Sequence, residues 1–535
     1  MTDTYPNPDL SDNTFLENRP VWLPVFLVFL LGLAVRIFAF QNTYIINSDG
    51  VLYIHQARAL YYGNRDALVS CYMSYISALP FFIAGTYTIV HDWLIAGKVV
   101  SLFFGFLTLF PVFFLLRRFL KEPFALFGTL VFALIPVFVD KSADVLKDPV
   151  CWFFLAMGLV LFVQQMDGRK SRFLLILSCF FFLMAGWARI EAISFIVVSA
   201  GAILFSKQDN KFSRLVFFCM PIILLMLLLI PVLIHLDLPL KTILRSNEIV
   251  GRLHAPFLAY ADLREELSQL INQPEPWILE FFLQRARHLV WFIAMGVILT
   301  SLVKAIYYPF FLVFAAGFAG LKNRMKQDGR LSYLLVLCGA ALAVLYLQTL
   351  VTWIIPDRFF ALFIIPGSVF LGFGMEKIAV ALQRLFKCHL KTALLVLLMV
   401  VLAFALPKTL KPREKDKVVF KQIGEVIAQR EGNGSEIKIA AHTDILRWVS
   451  FYANLDYPGS PCPQPYKKFS PLVADGYNTC LANLKEKGMQ YLLWTEKRWP
   501  GDSALFLKKA NEGGLLEIGS WHHPDTGRII LLQLR

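Results

Sequence analysis

The stretch VWLPVFLVFLLGLAVRIFAFQNTYIINSDGVLYIHQARALYYGN, residues 21–64, decides how the rest of the chain is read. Its first part is apolar except for Arg36 and is about 20 residues long, enough for a helix to cross the hydrocarbon of a bilayer. About 20 polar residues precede it, and it outruns the apolar part of a cleavable leader, so it reads as an anchor that stays in the membrane. The chain then turns polar and delivers Asp49, among tyrosines, where it re-enters water. The residues that follow set Leu52, Ala59 and Leu60 beside Tyr53, His55, Arg58 and Tyr61, a mixture that predicts a helix lying in the membrane interface.

The composition agrees with a membrane chain. Of 535 residues, 57% are hydrophobic and 17% charged, against about 25% charged in an ordinary soluble protein. Counting apolar windows predicts about eleven spans, near 21–40, 94–116, 123–140, 149–166, 172–188, 190–206, 212–234, 303–321, 331–353, 359–375 and 391–407. The stretches 76–92 and 287–301 are short or interrupted by His, Arg or Gly, and read as interfacial or re-entrant. The net charge of +14 is spread over short loops without any zinc finger or aromatic RNA-binding signature, which argues against nucleic acid as a partner.

Those loops fall into two sets. RRFLKEP (117–123), DGRKSR (167–172), SKQDNKFSR (206–214), LKNRMKQDGR (321–330) and EKIAVALQRLFKCHLK (376–391) are rich in Lys and Arg, while the alternate set, 139–148, 188–191 and 353–358, mixes fewer cations with acids. Positive loops stay cytoplasmic. The N-terminal tail, 1–20, is therefore expected inside, and the loops near 41–93 and 235–290 outside the membrane domain 21–407. Outside too is a tail, 408–535, in which a helical piece and strand-like runs separated by Gly, Pro and Asn predict a small soluble α/β or α+β domain. The fold class expected is a polytopic α-helical membrane protein, multi-pass in the inner or plasma membrane, with a small C-terminal α/β domain in the periplasm or its equivalent. Cys462 and Cys480 lie in that tail, where an oxidising compartment permits a disulfide. His442, His522 and His523 read as isolated surface histidines.

No P-loop, GxGxxG, GxSxG or CxxC motif is present. Chemistry outside the membrane then needs a donor that arrives already activated, most simply on a lipid. Ionisable groups at one depth near span ends mark where this would happen: Arg36, Asp49, Asp144, Lys147, Asp148, Arg189, Glu191, Asp357 and Arg358. Each has a structural alternative. Arg36 and Arg358 could snorkel to headgroups, Arg189 and Glu191 could pair between spans, Asp144 could be a solvated loop acid, and Asp148 or Asp49 could cap a helix.

The residues resemble a family at this point. A first span ending in Arg, then an acid, then Tyr and Ala-Arg, then Tyr-Gly-Asn, is similar to the first outer loop of GT-C glycosyltransferases, in the branch of protein O-mannosyltransferases and the lipid A aminoarabinose transferase. The likeness continues through SADVLKDPVCWFFLAMGLVLF, WARIEAISF and PDRFFALFIIPGSVFLG. Two departures stand out. Many relatives carry adjacent acids in the first loop, whereas Gly50 follows Asp49, which counts against a metal site built from such a pair. The tail also lacks the WWDYG motif of oligosaccharyltransferases.

The resemblance implies transfer of one sugar from a polyprenyl-phosphate donor to a lipid A, glycan or protein acceptor, at the bilayer's outer face and without a cofactor; a divalent metal stays an open alternative. Asp49 would be the general base. Arg358, helped by Lys147 or Arg189, would hold the lipid phosphate. Asp148 and Glu191 would orient these cations or the sugar, with Tyr53 beside them, and one-carboxylate displacement predicts inversion. The alternatives are a polysaccharide polymerase or ligase, and a lipid-linked sugar flippase or transporter.

Overall fold

The computed structural model describes residues 22–167, 171–206, 210–236, 246–271, 277–432, 434–473 and 476–534. The expected N-terminal tail, 1–20, lies outside the described residues. Eight described helices are long and apolar enough to cross a membrane: Trp22–Gln41, Trp93–Leu116, Asp148–Met166, Lys211–Leu228, Ile278–Ile306, Gly329–Thr352, Asp357–Phe386 and Leu390–Thr409. Glu122–Leu134 and Pro136–Ser142, bent by 57° to each other, together have the length and apolarity of a broken span or a re-entrant loop. Pro136 has no N–H to continue the ladder, so the helix stops at Leu134 and restarts. The shorter apolar helices Arg172–Ala188 and Ile190–Leu204 stand where spans were expected.

The span expected near 303–321 is displaced. The stretch 287–301, read from sequence as interfacial or re-entrant, belongs to one continuous helix, Trp277–Ile306. At about 1.5 Å per residue this helix outreaches the hydrocarbon, so Arg285, Arg287 and His288 sit in its first turns while the later turns stay apolar. It ends because Tyr307 takes φ +79° and Pro309 follows. The remaining apolar residues form a separate short helix, Tyr308–Gly317, packed on Ala361–Phe386. That contact needs bare backbone: a Cβ at Gly317 would fall on the Phe370 carbonyl and one at Gly374 on the Val313 carbonyl, the close approach that small residues allow between membrane helices.

The loop charges collect at two ends. At one, Asp167 pairs with Arg118 and Arg330, and Arg324 lies 2.9 Å from Glu376. At the other, Asp140 accepts from Arg413 Nε at 2.7 Å, and Thr43 bridges Arg413. The two sets of loops separated by their Lys and Arg content therefore meet at opposite ends of the bundle.

The tail is a four-stranded sheet with helices packed around it. Its strands are β1 (Ile439–Ala440), β2 (Tyr491–Thr495), β3 (Leu515–His523) and β4 (Gly527–Leu534), in the order β1-β2-β4-β3. β1 and β2 are parallel and the other pairs antiparallel. β2 is buried along its whole length, and the helices Val418–Glu431 and Thr443–Ala453 pack on each other and against β3 and β1, with Ile423, Ile427, Leu446 and Val449 buried. His523 is buried against Phe420 rather than lying at the surface.

The tail is docked, not merely tethered. Helix Ser48–Tyr61 packs on Ala78–Val90 and Trp93–Leu107 on one side and on Thr443–Ala453 on the other. Residues Gly50 to Ala59 are all buried as a result, so the helix expected in the membrane interface is enclosed between the membrane domain and the tail. Arg58 donates to the carbonyls of Gly459 at 2.6 Å, Asn454 at 3.0 Å and Tyr457. Asn64 reaches Ser460 at 3.1 Å, and Trp448 donates to the Ile46 carbonyl at 2.7 Å. Cys462 is disulfide-bonded to Cys71, their Cα atoms 5.7 Å apart, and Cys480 is a buried free thiol. Spacing along the tail gave no sign of a partner so far away in sequence.

Candidate active site

The site lies where the Ser48–Tyr61 helix, the loop before Asp148–Met166, the turn at Arg189 and the start of Asp357–Phe386 converge beneath the tail. Asn47 caps the first of these helices, its side chain accepting from the Asp49 N–H at 2.9 Å. Asp49 is thereby released from capping, and stands in the first turn. Gly50 next to it has no room for a side chain: an added Cβ would meet the Val145 carbonyl at 2.6 Å. The close approach of this helix to the 143–147 loop thus excludes a second adjacent acid on steric grounds. Asp144 is not a solvated loop acid. It is buried, accepts from Asn47 N and Val145 N at 2.8 Å each, and burial pushes its carboxyl above the usual range.

Of the residues named from the sequence, Asp49, Tyr53, Lys147, Asp148, Arg189, Glu191 and Arg358 meet here, and Asp144 supports Asn47; Asp357 instead faces Lys304 at 3.7 Å, and Arg36 is buried in the first span. Arg358 donates to Asp49 Oδ2 at 2.9 Å and lies 3.7 Å from Asp148; its Nε is buried without a hydrogen-bond partner. It sits inside the site, so it does not snorkel. Arg189 lies 2.5 Å from Asp148 and 3.4 Å from Glu191, and covers the Phe359 ring at 3.6 Å. Asp148 therefore forms a buried pair rather than a plain helix cap. Lys147 donates to the Tyr75 hydroxyl at 2.7 Å, with its ammonium 5.9 Å from the Tyr53 ring. Burial keeps the Tyr53 phenol above its usual value, a neutral hydroxyl at working pH.

Accessibility separates the acids. The side chains of Asp148 and Glu191 are 1% and 5% exposed, but that of Asp49 is 38% exposed. Of these three acids Asp49 is the accessible one; the other two face Arg189. Among the described residues, no group of three or more His, Cys, Asp and Glu is placed to hold a metal ion.

Three participants escaped the sequence reading. Tyr75 lies in a loop of unremarkable composition. Arg252, on the helix Ser246–Ile271, reaches Glu191 at 2.6 Å. Arg447, from the tail helix Thr443–Ala453, lies 3.6 Å from Asp49 Oδ1, and its Nε donates to Gln464 at 2.6 Å. Nothing local marks either arginine, since both are brought in from distant parts of the chain.

No family model and no curated protein matches the sequence. Solved structures do match. AglB, the oligosaccharyltransferase of Archaeoglobus fulgidus, in complex with an inhibitory peptide and a dolichol-phosphate, gives a TM-score of 0.53 at 11% identity over 94% of this chain and 74% of that one. The same enzyme tethered by a disulfide to an acceptor peptide gives 0.52 at 10% identity, over 94% and 73%. ArnT of Cupriavidus metallidurans bound to undecaprenyl phosphate gives 0.45 at 12% identity, over 95% and 97%. At these identities what is shared is the fold.

Proposed function

For a chain with the GT-C fold, we propose glycosyl transfer of a single sugar from a polyprenyl-phosphate donor to an acceptor hydroxyl at the outer face of the membrane. The acceptor is a lipid, a glycan or a protein. The observation that carries the reading is the pair Asp49 and Arg358, 2.9 Å apart, an accessible carboxylate beside a largely buried cation. The AglB structure is described as holding a dolichol-phosphate, a ligand of the kind this reading needs.

In the proposed reaction the lipid phosphate binds Arg358 through parallel N–H bonds, which guanidinium geometry favours. Phosphate and Asp49 compete for the same guanidinium, so donor binding frees an Asp49 oxygen. That oxygen takes the acceptor proton as the acceptor oxygen bonds to the anomeric carbon. The bond from that carbon to the phosphate oxygen breaks, and its electron pair leaves with the polyprenyl phosphate. Attack opposite the leaving group inverts the anomeric centre. A carboxylate near the developing oxocarbenium charge stabilises the transition state. Arg189 is committed to Asp148 and Glu191, so its role is to build the site's wall, which leaves Lys147 as the helper for the phosphate.

The test is mass spectrometry of envelope lipids, glycans and proteins from cells with and without the chain, and with Asp49→Asn. The expected result is loss of one sugar unit from one product class in both deficient strains. Unchanged products with lipid-linked sugar accumulating in the inner leaflet would replace this reading with a flippase.

A further inference from the structure

The catalytic reading places Asp49 on the membrane domain, yet one of the two arginines against it comes from the tail. Arg358 approaches Oδ2 from the end of a membrane helix, and Arg447 approaches Oδ1 from the tail helix. Arg447 is half-sequestered, with 23% of its side chain exposed, and Gln464 fixes its Nε from a second tail segment. That segment is tied to the membrane domain at several points. Two residues before Gln464 is Cys462, bonded to Cys71; just before that are Pro461, whose carbonyl lies 2.9 Å from His55 Nδ1, and Gly459, which accepts from Arg58. A surface arginine in a mobile tail would meet a carboxylate only occasionally, with little energetic weight. Here the partner, the brace and the covalent tie hold the two domains in one register.

We propose that Arg447 is a positioning residue of the transferase site, so that the docked tail completes the site. The inference rests on the transferase reading above. Arg358 is the cation that the donor phosphate recruits; when it is recruited, Asp49 loses its partner on Oδ2. Arg447 then remains as the hold on Oδ1, keeping the carboxylate plane aimed at the acceptor. It approaches from the tail's side of Asp49, and its guanidinium forms a boundary of the space beside the carboxylate that the acceptor must enter. Tail and membrane domain therefore act as one catalytic unit, with Gln464 setting the angle of Arg447.

The test uses the full-length chain in lipid nanodiscs and in cells. Three readouts are compared for wild type, Arg447→Ala, Arg447→Lys, Gln464→Ala and Asp49→Asn: formation of the Cys71–Cys462 disulfide on non-reducing gels, binding of undecaprenyl phosphate, and the sugar-modified envelope product by mass spectrometry. The expected result for Arg447→Ala is a formed disulfide, wild-type lipid binding and a product level at least tenfold lower. Arg447→Lys should recover most of the product, and Gln464→Ala should fall between. Wild-type product from Arg447→Ala, with Asp49→Asn inactive, would overturn the proposal and leave the transferase reading standing. Loss of the disulfide or of lipid binding in Arg447→Ala would assign the residue to docking and overturn it as well. Full product from Asp49→Asn would remove the transferase reading itself.

Discussion

Arg36 illustrates what a single residue can and cannot reveal. An arginine in an apolar span suggests snorkelling, but this one is fully buried and donates to the carbonyls of Gly32 and Ala133. Ala133 sits at the end of the helix that Pro136 interrupts, so its carbonyl has no N–H from the next turn. A cation there also faces the negative end of the helix dipole. The sequence shows both Arg36 and Pro136, and only the fold joins them. Gly50 is similar: its identity is readable, but its reason is the Val145 carbonyl across the site. Gly50→Ala should cost about 1–3 kcal/mol from overpacking, lowering thermal stability in detergent, and should reduce activity because the loop that must yield leads into Lys147 and Asp148. Arg358→Ala should weaken undecaprenyl phosphate binding about ten- to a hundredfold, the scale of one or two charge-assisted bonds, while Arg358→Lys keeps charge but loses the bidentate geometry. Direct binding measurements with the purified chain check both.

At the scale of elements, the helix Ser48–Tyr61 changes meaning once its two faces are seen. Its alternation of apolar and polar residues is legible, and it suits a membrane surface as well as it suits a buried interface. The polar residues are used for docking the tail. Arg58 is desolvated enough to fall from its ordinary value to about 10, still charged at neutral pH. Arg58→Ala leaves several tail carbonyls without donors and should weaken docking by about 3 kcal/mol, read as faster hydrogen exchange over residues 454–460. Burial holds His55 below its ordinary value of 6.5, so the docked state prefers the neutral ring. A group depressed in this way binds more protons when undocked. Its contribution is therefore complete above about pH 6.5 and falls as pH drops below that, levelling at the lower folded value. Exchange protection over residues 459–463 should decline between pH 7.5 and 5.5 in wild type and stay flat in His55→Gln. The helix Trp277–Ile306 was hidden for a related reason: Arg285, Arg287 and His288 interrupt a hydropathy window, but a helix longer than the bilayer places them beyond the hydrocarbon.

For the whole molecule, the separation of loop charges into two ends makes a testable statement of sidedness. With the Lys-rich and Arg-rich loops inside, a cysteine placed at Lys326 should resist a membrane-impermeant maleimide in intact cells, whereas one at Lys508 should react. Reversed labelling would invert the topology. Removing the interdomain tie with Cys71→Ser should leave the membrane domain inserted and lower the product, since Arg447 would lose the segment that braces it. The sequence alone determined that the chain is a membrane bundle with a soluble tail, the positions of most spans, and the acids and arginines that gather near Asp49. These follow from local properties: hydropathy counted over a helix length, charge counted over a loop, and short motifs. Tertiary structure decided the rest. It paired Cys71 with Cys462, set Arg252 on Glu191 and brought Arg447 to Asp49. It also made Asp49 the accessible acid while Asp148 and Glu191 were consumed by Arg189. Each of those outcomes depends on which surfaces meet when helices far apart in sequence pack together, and no local pattern of residues encodes that meeting.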